Sequence, residues 1–162
     1  MALDESSELI GEDKPDVARS LEIAMTSLRE LLALLTENRA LAKAPARKDI
    51  TLADLLKRAS GRAGVRLDGD IPDRKVHVAP PSMVHAISLL LEAHAGPQQG
   101  ARTIAVGVTF DSRAVVALTG TPSQTSVLDP IMVATWLVER EGGAVFSAPS
   151  GVQLHLPLAR TP

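Results

Sequence analysis

The adjacent glycines Gly142 and Gly143 constrain this chain more than any other feature. Before them, "LDPIMVATWLVER" repeats apolar residues at the spacing of a helix. After them, "AVFSA" and "GVQLHLPL" alternate apolar and polar residues at the period of a strand. The stretch "WLVEREGGAVFSAPSGVQLHLPL" therefore reads as a helix end, a Gly-Gly stop, a strand, a tight turn and a final strand.

The segments upstream obey the same two periods. "RTIAVGVTF" and "AVVALTG" predict a hairpin about "DSR". "PPSMVHAISLLLEAHAG" predicts a helix entered through proline, with Met83, Ala86, Ile87, Leu90 and Leu91 inward. "TLADLLKRASGRAG" opens on a threonine cap, carries Leu52, Leu55, Leu56 and Ala59 on one face, and can end at Gly61 or Gly64. "VRLDGDI" and "KVHV" read as short strands around a Pro-Asp turn. The predicted class is α+β: a two-layer sandwich with a mixed β-sheet covered on one face by about three helices.

A long helix is predicted ahead of this domain, over residues 15–43. Leu21, Ala24, Leu28, Leu31 and Leu35 recur along it at spacings of three and four, and Met25 and Leu32 widen the stripe. Such a face can pack on its own domain or pair with a partner helix. Its width favours the second, and self-association as a homodimer is the expectation. Residues 1–14 are polar and acidic and read as a flexible N-terminus, "KAPARKD" reads as a basic linker, and 49–162 reads as the globular domain.

Composition excludes several functions. Hydrophobic residues are 45% of the 162, enough for a core, but aromatics are only 2%, so stacking platforms for single-stranded nucleic acid are missing. A formal charge of -2 gives no electrostatic reason to bind DNA or an anionic membrane. With no cysteine there is no disulfide, thiolate metal site or thiol nucleophile. No signal-peptide pattern and no apolar run of membrane-spanning length is present, so the expectation is a soluble cytoplasmic protein.

With these segments in order, the chain resembles the ATP-binding domain of bacterial sensor histidine kinases, a Bergerat-like fold shared with gyrase-type and Hsp90-type ATPases. Over about residues 49–158, "DITLADLLKRASGRAGVRLDGDIP" is similar to the opening helix and strand, and "SMVHAISLLLEAHA" occupies the place of the family's Asn-bearing helix. "LVEREGGAVFSAPSGVQLHLPL" resembles the family's closing segment, and "LLALLTENRALAKAPARKDITLADLL" resembles the second dimerisation helix running into the domain.

The resemblance implies ATP, and the implied ligands can be sought one by one. The two positions where the family places a magnesium-binding Asn fall on Leu89 and Ala93. The Asp that meets adenine falls on Leu118 or Thr119 in "ALTGTPS". The Gly-rich phosphate lid is replaced by the short "TPSQTSV". No ATP, cofactor or metal is therefore expected. The family's phosphorylated histidine lies on an exposed dimerisation helix, yet 15–43 contains no His. His77 and His155 read as sheet-face imidazoles, and His94 as a helix-end residue. Glu92 and His94 do not share a face, and the four histidines make no metal-ligand spacing.

Arg58, Arg62, Arg66, Arg74 and Lys75 read first as a solvated basic face, or otherwise as a docking patch for an acidic partner such as a receiver domain. The resemblance, taken with the missing ATP-site residues, implies a non-catalytic, pseudokinase adaptor or regulator in two-component signalling. Its partners would be a sensor kinase or response regulator, and a second copy of itself. The alternatives are a phosphorelay histidine phosphotransferase using His85 or His94, and a structural self-assembly module.

Overall fold

The computed structural model describes residues 14–42, 46–95, 102–120 and 130–160. The chain divides into two compact units, 1–43 and 44–162. The first holds helix α1, Lys14–Ala42. On it Leu21 and Leu28 are each 59% exposed, and Ala24, Met25 and Leu32 are also exposed. Val17 extends the same stripe and is exposed too, whereas Ile23 lies on the opposite side of the helix. The side chains of Leu31 and Leu35 lie outside the described residues, as does the acidic segment 1–13.

The second unit runs β1 (Lys48–Thr51), α2 (Leu52–Ala63), β2 (Val65–Asp68), β3 (Lys75–Val78), α3 (Pro80–Ala95), β4 (Arg102–Phe110), β5 (Arg113–Thr119), α4 (Pro130–Arg140), β6 (Ala144–Ala148) and β7 (Gly151–Pro157). Five strands form one sheet in the order β2-β4-β5-β7-β6. The β2–β4 pair is parallel and the others antiparallel, so the sheet is mixed. Strand period two assigns the faces. Ile104, Val106, Val116, Leu118, Leu154 and Leu156 are buried under the helices, while Thr103, Ala105, Gly107 and Thr109 of β4 are exposed on the other side. The helices answer with Leu52, Leu55, Leu56, Met83, Ile87, Leu90, Leu91 and Leu137, all fully buried. Each such side chain contributes about 1.5–3 kcal/mol over exposure, and together they hold the two layers. The α+β sandwich with helices on one face is the fold expected from the periodicities.

Local chemistry explains the boundaries. Thr51 caps α2, its hydroxyl oxygen accepting the Asp54 N–H at 3.2 Å, and Gly64 closes the helix. The Gly-Gly stop after α4 contains two different demands. Gly142 sits at φ 80, a left-handed conformation that ends the helix, and its N–H donates to the Glu139 carbonyl. Gly143 is required for space, because a Cβ there would lie 2.6 Å from the His155 carbonyl oxygen and 2.7 Å from a Val138 methyl. Helix α4 is thereby turned directly into β6.

Two details differ from the sequence reading. Lys48–Thr51 is a strand, where the end of a linker was expected. Strands β2 and β3 flank a tight turn, in which Arg74 N–H donates to the Pro72 carbonyl, but they do not pair. β3 takes β1 as its antiparallel partner in a separate two-stranded sheet, and β2 joins β4. In the larger sheet β7 lies between β5 and β6, leaving β6 outermost.

Candidate functional site

Helix α3 positions the candidate site. Ala79 precedes it, accepting the Met83 N–H, and the prolines Pro80 and Pro81 occupy the first turn, where no amide proton is needed. Met83, Ala86, Ile87, Leu90 and Leu91 point inward as expected, all fully buried. One turn apart near its end stand Leu89, half-buried, and Ala93, 5% exposed. Facing this end is the close of β5. Leu118 is turned into the core at 2% exposure, and Thr119 is exposed. Gly120 lies against α3, since a Cβ there would come within 2.5 Å of the His94 carbonyl oxygen. Its N–H donates to the Ser150 carbonyl at 2.9 Å, joining the β5 end to the β6–β7 turn.

Between these elements lies a cavity of about 130 Å³, lined by His94, Gly120, Ile131, Ser147, Ala148, Pro149, Gly151 and Val152. Small-molecule sites are commonly ~300–1,000 Å³, so this one is small. None of its lining residues carries a carboxylate or a carboxamide, the hard oxygen ligands that a magnesium ion prefers. His94 already uses Nδ1 on the Leu90 carbonyl at 2.8 Å. Among the described residues no cluster of three His, Asp or Glu side chains is placed to hold a metal. Residues 121–129, including the expected short lid, lie outside the described residues.

The other end of α3 is tied by charge. Glu141, 4% exposed, accepts two hydrogen bonds on Oε2: Arg47 Nε at 3.1 Å and the Ala79 N–H at 3.2 Å. Arg47 Nη2 also donates to the Arg140 carbonyl at 3.0 Å, and Arg140 Nη2 donates to Ser82 Oγ at 3.0 Å. A carboxylate beside the first amides of a helix is favoured by the helix dipole as well as by its hydrogen bonds. Sequence reasoning missed Glu141, because a Glu beside a helix end gives no sign of burial.

The histidines sort by exposure. His85 and His94 are both 5% exposed, so neither imidazole stands on a surface. His155 is half-buried with its ring edge-on to Phe146, centroids 4.7 Å apart. His77 is exposed and paired with Asp49 across β1 and β3. Of the basic cluster, Arg58 and Arg62 lie one turn apart on α2, Arg66 on β2, and Arg74 and Lys75 at the start of β3, all exposed. Arg74 stacks over the Phe110 ring at 4.8 Å. An apolar pair escaped the sequence reading: Met132 and Trp136, one turn apart on α4, are 62% and 52% exposed.

No protein-family model and no curated protein matches the chain. Solved structures do. The Acinetobacter baumannii histidine kinase AdeS aligns with TM-score 0.56 and 8% identity, covering 84% of this chain and 82% of that one. The ATP-binding domain of PrrB from Mycobacterium tuberculosis aligns with TM-score 0.51 and 17% identity, covering 72% and 98%. The mycobacterial sensor histidine kinase MprB gives 0.50 and 12%, covering 70% and 97%. The globular unit therefore has the fold of histidine-kinase ATP-binding domains. Among the described residues, no helix is long and apolar enough to cross a membrane.

Proposed function

We propose that this chain is a histidine-kinase-like domain that acts in two-component signalling by binding proteins, without using ATP. The observation that carries this reading is the chemistry at the end of α3. Where the resemblance calls for Asn side chains there are Leu89 and Ala93, and where it calls for an Asp there is a core leucine, Leu118, or the hydroxyl of Thr119. The adjoining cavity is small and without carboxylate or carboxamide. Leu89 and Ala93 carry no side-chain oxygen for magnesium, and phosphoryl transfer depends on that metal to neutralise its developing charge. Self-association through the α1 stripe, and docking of an acidic partner on Arg58, Arg62, Arg66, Arg74 and Lys75, belong to the same reading. The phosphotransferase alternative is disfavoured by the burial of His85 and His94, since a phosphoacceptor must meet its donor.

Titration with ATP and magnesium, followed by thermal unfolding, tests the proposal. A ligand at a hundred times its dissociation constant adds about 2.7 kcal/mol, an easily measured shift. No shift is expected at millimolar nucleotide. A clear shift that disappears on substitution within residues 83–95 would overturn the reading.

A further inference from the structure

A second cavity has the charges that the first lacks. Register sets Asp49 opposite His77, on the outward face of a pair whose inward residues Ile50, Val76 and Val78 are buried. Nδ1 of His77 donates to Asp49 Oδ1 at 2.7 Å, with both side chains about half exposed. An ionised carboxylate only accepts, so this bond fixes the ring: the proton sits on Nδ1, and Nε2 is left for another partner. The two side chains line a cavity of about 500 Å³ whose remaining walls are Arg47, Pro157, Leu158 and Arg160. It closes because the chain beyond β7 runs beside β3, Val76 bridging Leu158 and Ala159 N–H donating to the Lys75 carbonyl at 3.0 Å.

The donors are in surplus. Arg47 commits Nε to Glu141 and one Nη2 hydrogen to the Arg140 carbonyl, which leaves three of its five N–H donors. Glu141 balances Arg47, and Asp49, whose charge a neutral His77 ring does not cancel, balances the exposed Arg160, so the two guanidiniums offer directed N–H donors rather than a net positive charge. We propose that this cavity binds phosphate, free or as the terminal group of a small phosphomonoester, through Arg47, Arg160 and Nε2 of His77. Guanidinium forks match tetrahedral oxyanions in bidentate fashion. The imidazole narrows the choice. Neutral, Nε2 accepts a hydrogen bond; protonated, it donates one. Hydrogen phosphate, or a phosphomonoester in its monoanionic form, carries both a hydroxyl donor and oxygen acceptors and satisfies either form of the ring, whereas sulfate and carboxylate offer acceptors alone. The inference does not depend on the proposed function.

The test uses the full chain, with ¹⁵N-labelled histidine observed by NMR during titration with inorganic phosphate, phenyl phosphate and sulfate. The expected result is a saturable shift of the His77 Nε2 resonance with phosphate, tighter than with sulfate. Arg160→Ala should weaken phosphate binding about tenfold or more, the loss of one charge-assisted contact, without lowering the melting temperature. Asp49→Asn should reduce the preference for phosphate over sulfate, because the ring is no longer held in one tautomer. Tighter binding of phenyl phosphate assigns the site to an ester, and tighter binding of inorganic phosphate to the free ion. No saturable shift at tens of millimolar phosphate, an equal response to sulfate, or unchanged affinity in Arg160→Ala would each overturn the proposal.

Discussion

A carboxylate as buried as Glu141 is stable only because its acceptors are occupied, and its removal leaves more than a lost contact. Glu141→Ala strands the Ala79 N–H and one Arg47 N–H, and should cost about 2–4 kcal/mol in urea unfolding. Glu141→Gln keeps an acceptor in place and should cost clearly less. An alanine variant within about 0.5 kcal/mol of the parent would show that water replaces the carboxylate freely. Two glycines make predictions of opposite sign. At Gly151, φ is 154 and a Cβ would lie 1.9 Å from the Leu118 carbonyl oxygen, so Gly151→Ala should destabilise by about 2 kcal/mol or more. At Gly61, inside α2, a Cβ meets nothing within 4 Å, and Gly61→Ala should stabilise by about 0.5–1 kcal/mol. The Gly142-Gly143 stop could be read from the sequence because a change of period surrounds it. The roles of Glu141 and of the Asp49–His77 pair could not, since their partners are distant along the chain.

Among the elements, legibility follows length and contrast. Helices α2 and α3 repeat an apolar face over several turns, and the β4–β5 hairpin alternates over many residues, so all three were readable. Strand β1 has four residues and only one, Ile50, buried, which is too little alternation to distinguish it from a linker. The pairings of β2 and β3 were hidden for a related reason: a short turn invites a hairpin, but neighbours are chosen by tertiary packing. The exposed stripe of α1 carries the prediction that belongs at this scale. If α1 self-associates, Leu28→Glu places carboxylates against apolar surface and should yield a folded monomer. Sedimentation equilibrium separates the possibilities. A wild type that is monomeric at tens of micromolar would remove the dimer, and a variant that melts lower at unchanged mass would place Leu28 inside its own protomer.

At the scale of the whole molecule, the globular unit has the fold of histidine-kinase ATP-binding domains. The two-layer architecture was legible because each layer announces itself by its period, and the resemblance of the closing segment led to the same fold. Function was less legible, because a fold does not determine the chemistry of its site. The test at this scale is direct. If nucleotide does not raise the melting temperature but an acidic receiver domain shifts α2 resonances, and Arg58→Glu with Arg62→Glu abolishes that shift, the binding-module reading stands. Resonances indifferent to both changes would remove the docking patch. One feature makes such experiments easier. Trp136 is the sole tryptophan of the chain, half exposed on α4 beside Met132, with the Arg140 guanidinium 5.1 Å from its ring centroid. Its fluorescence is therefore an optical probe of one surface rather than of the interior. Its emission should begin red-shifted and change little on denaturation, while any partner that covers α4 should move it to the blue.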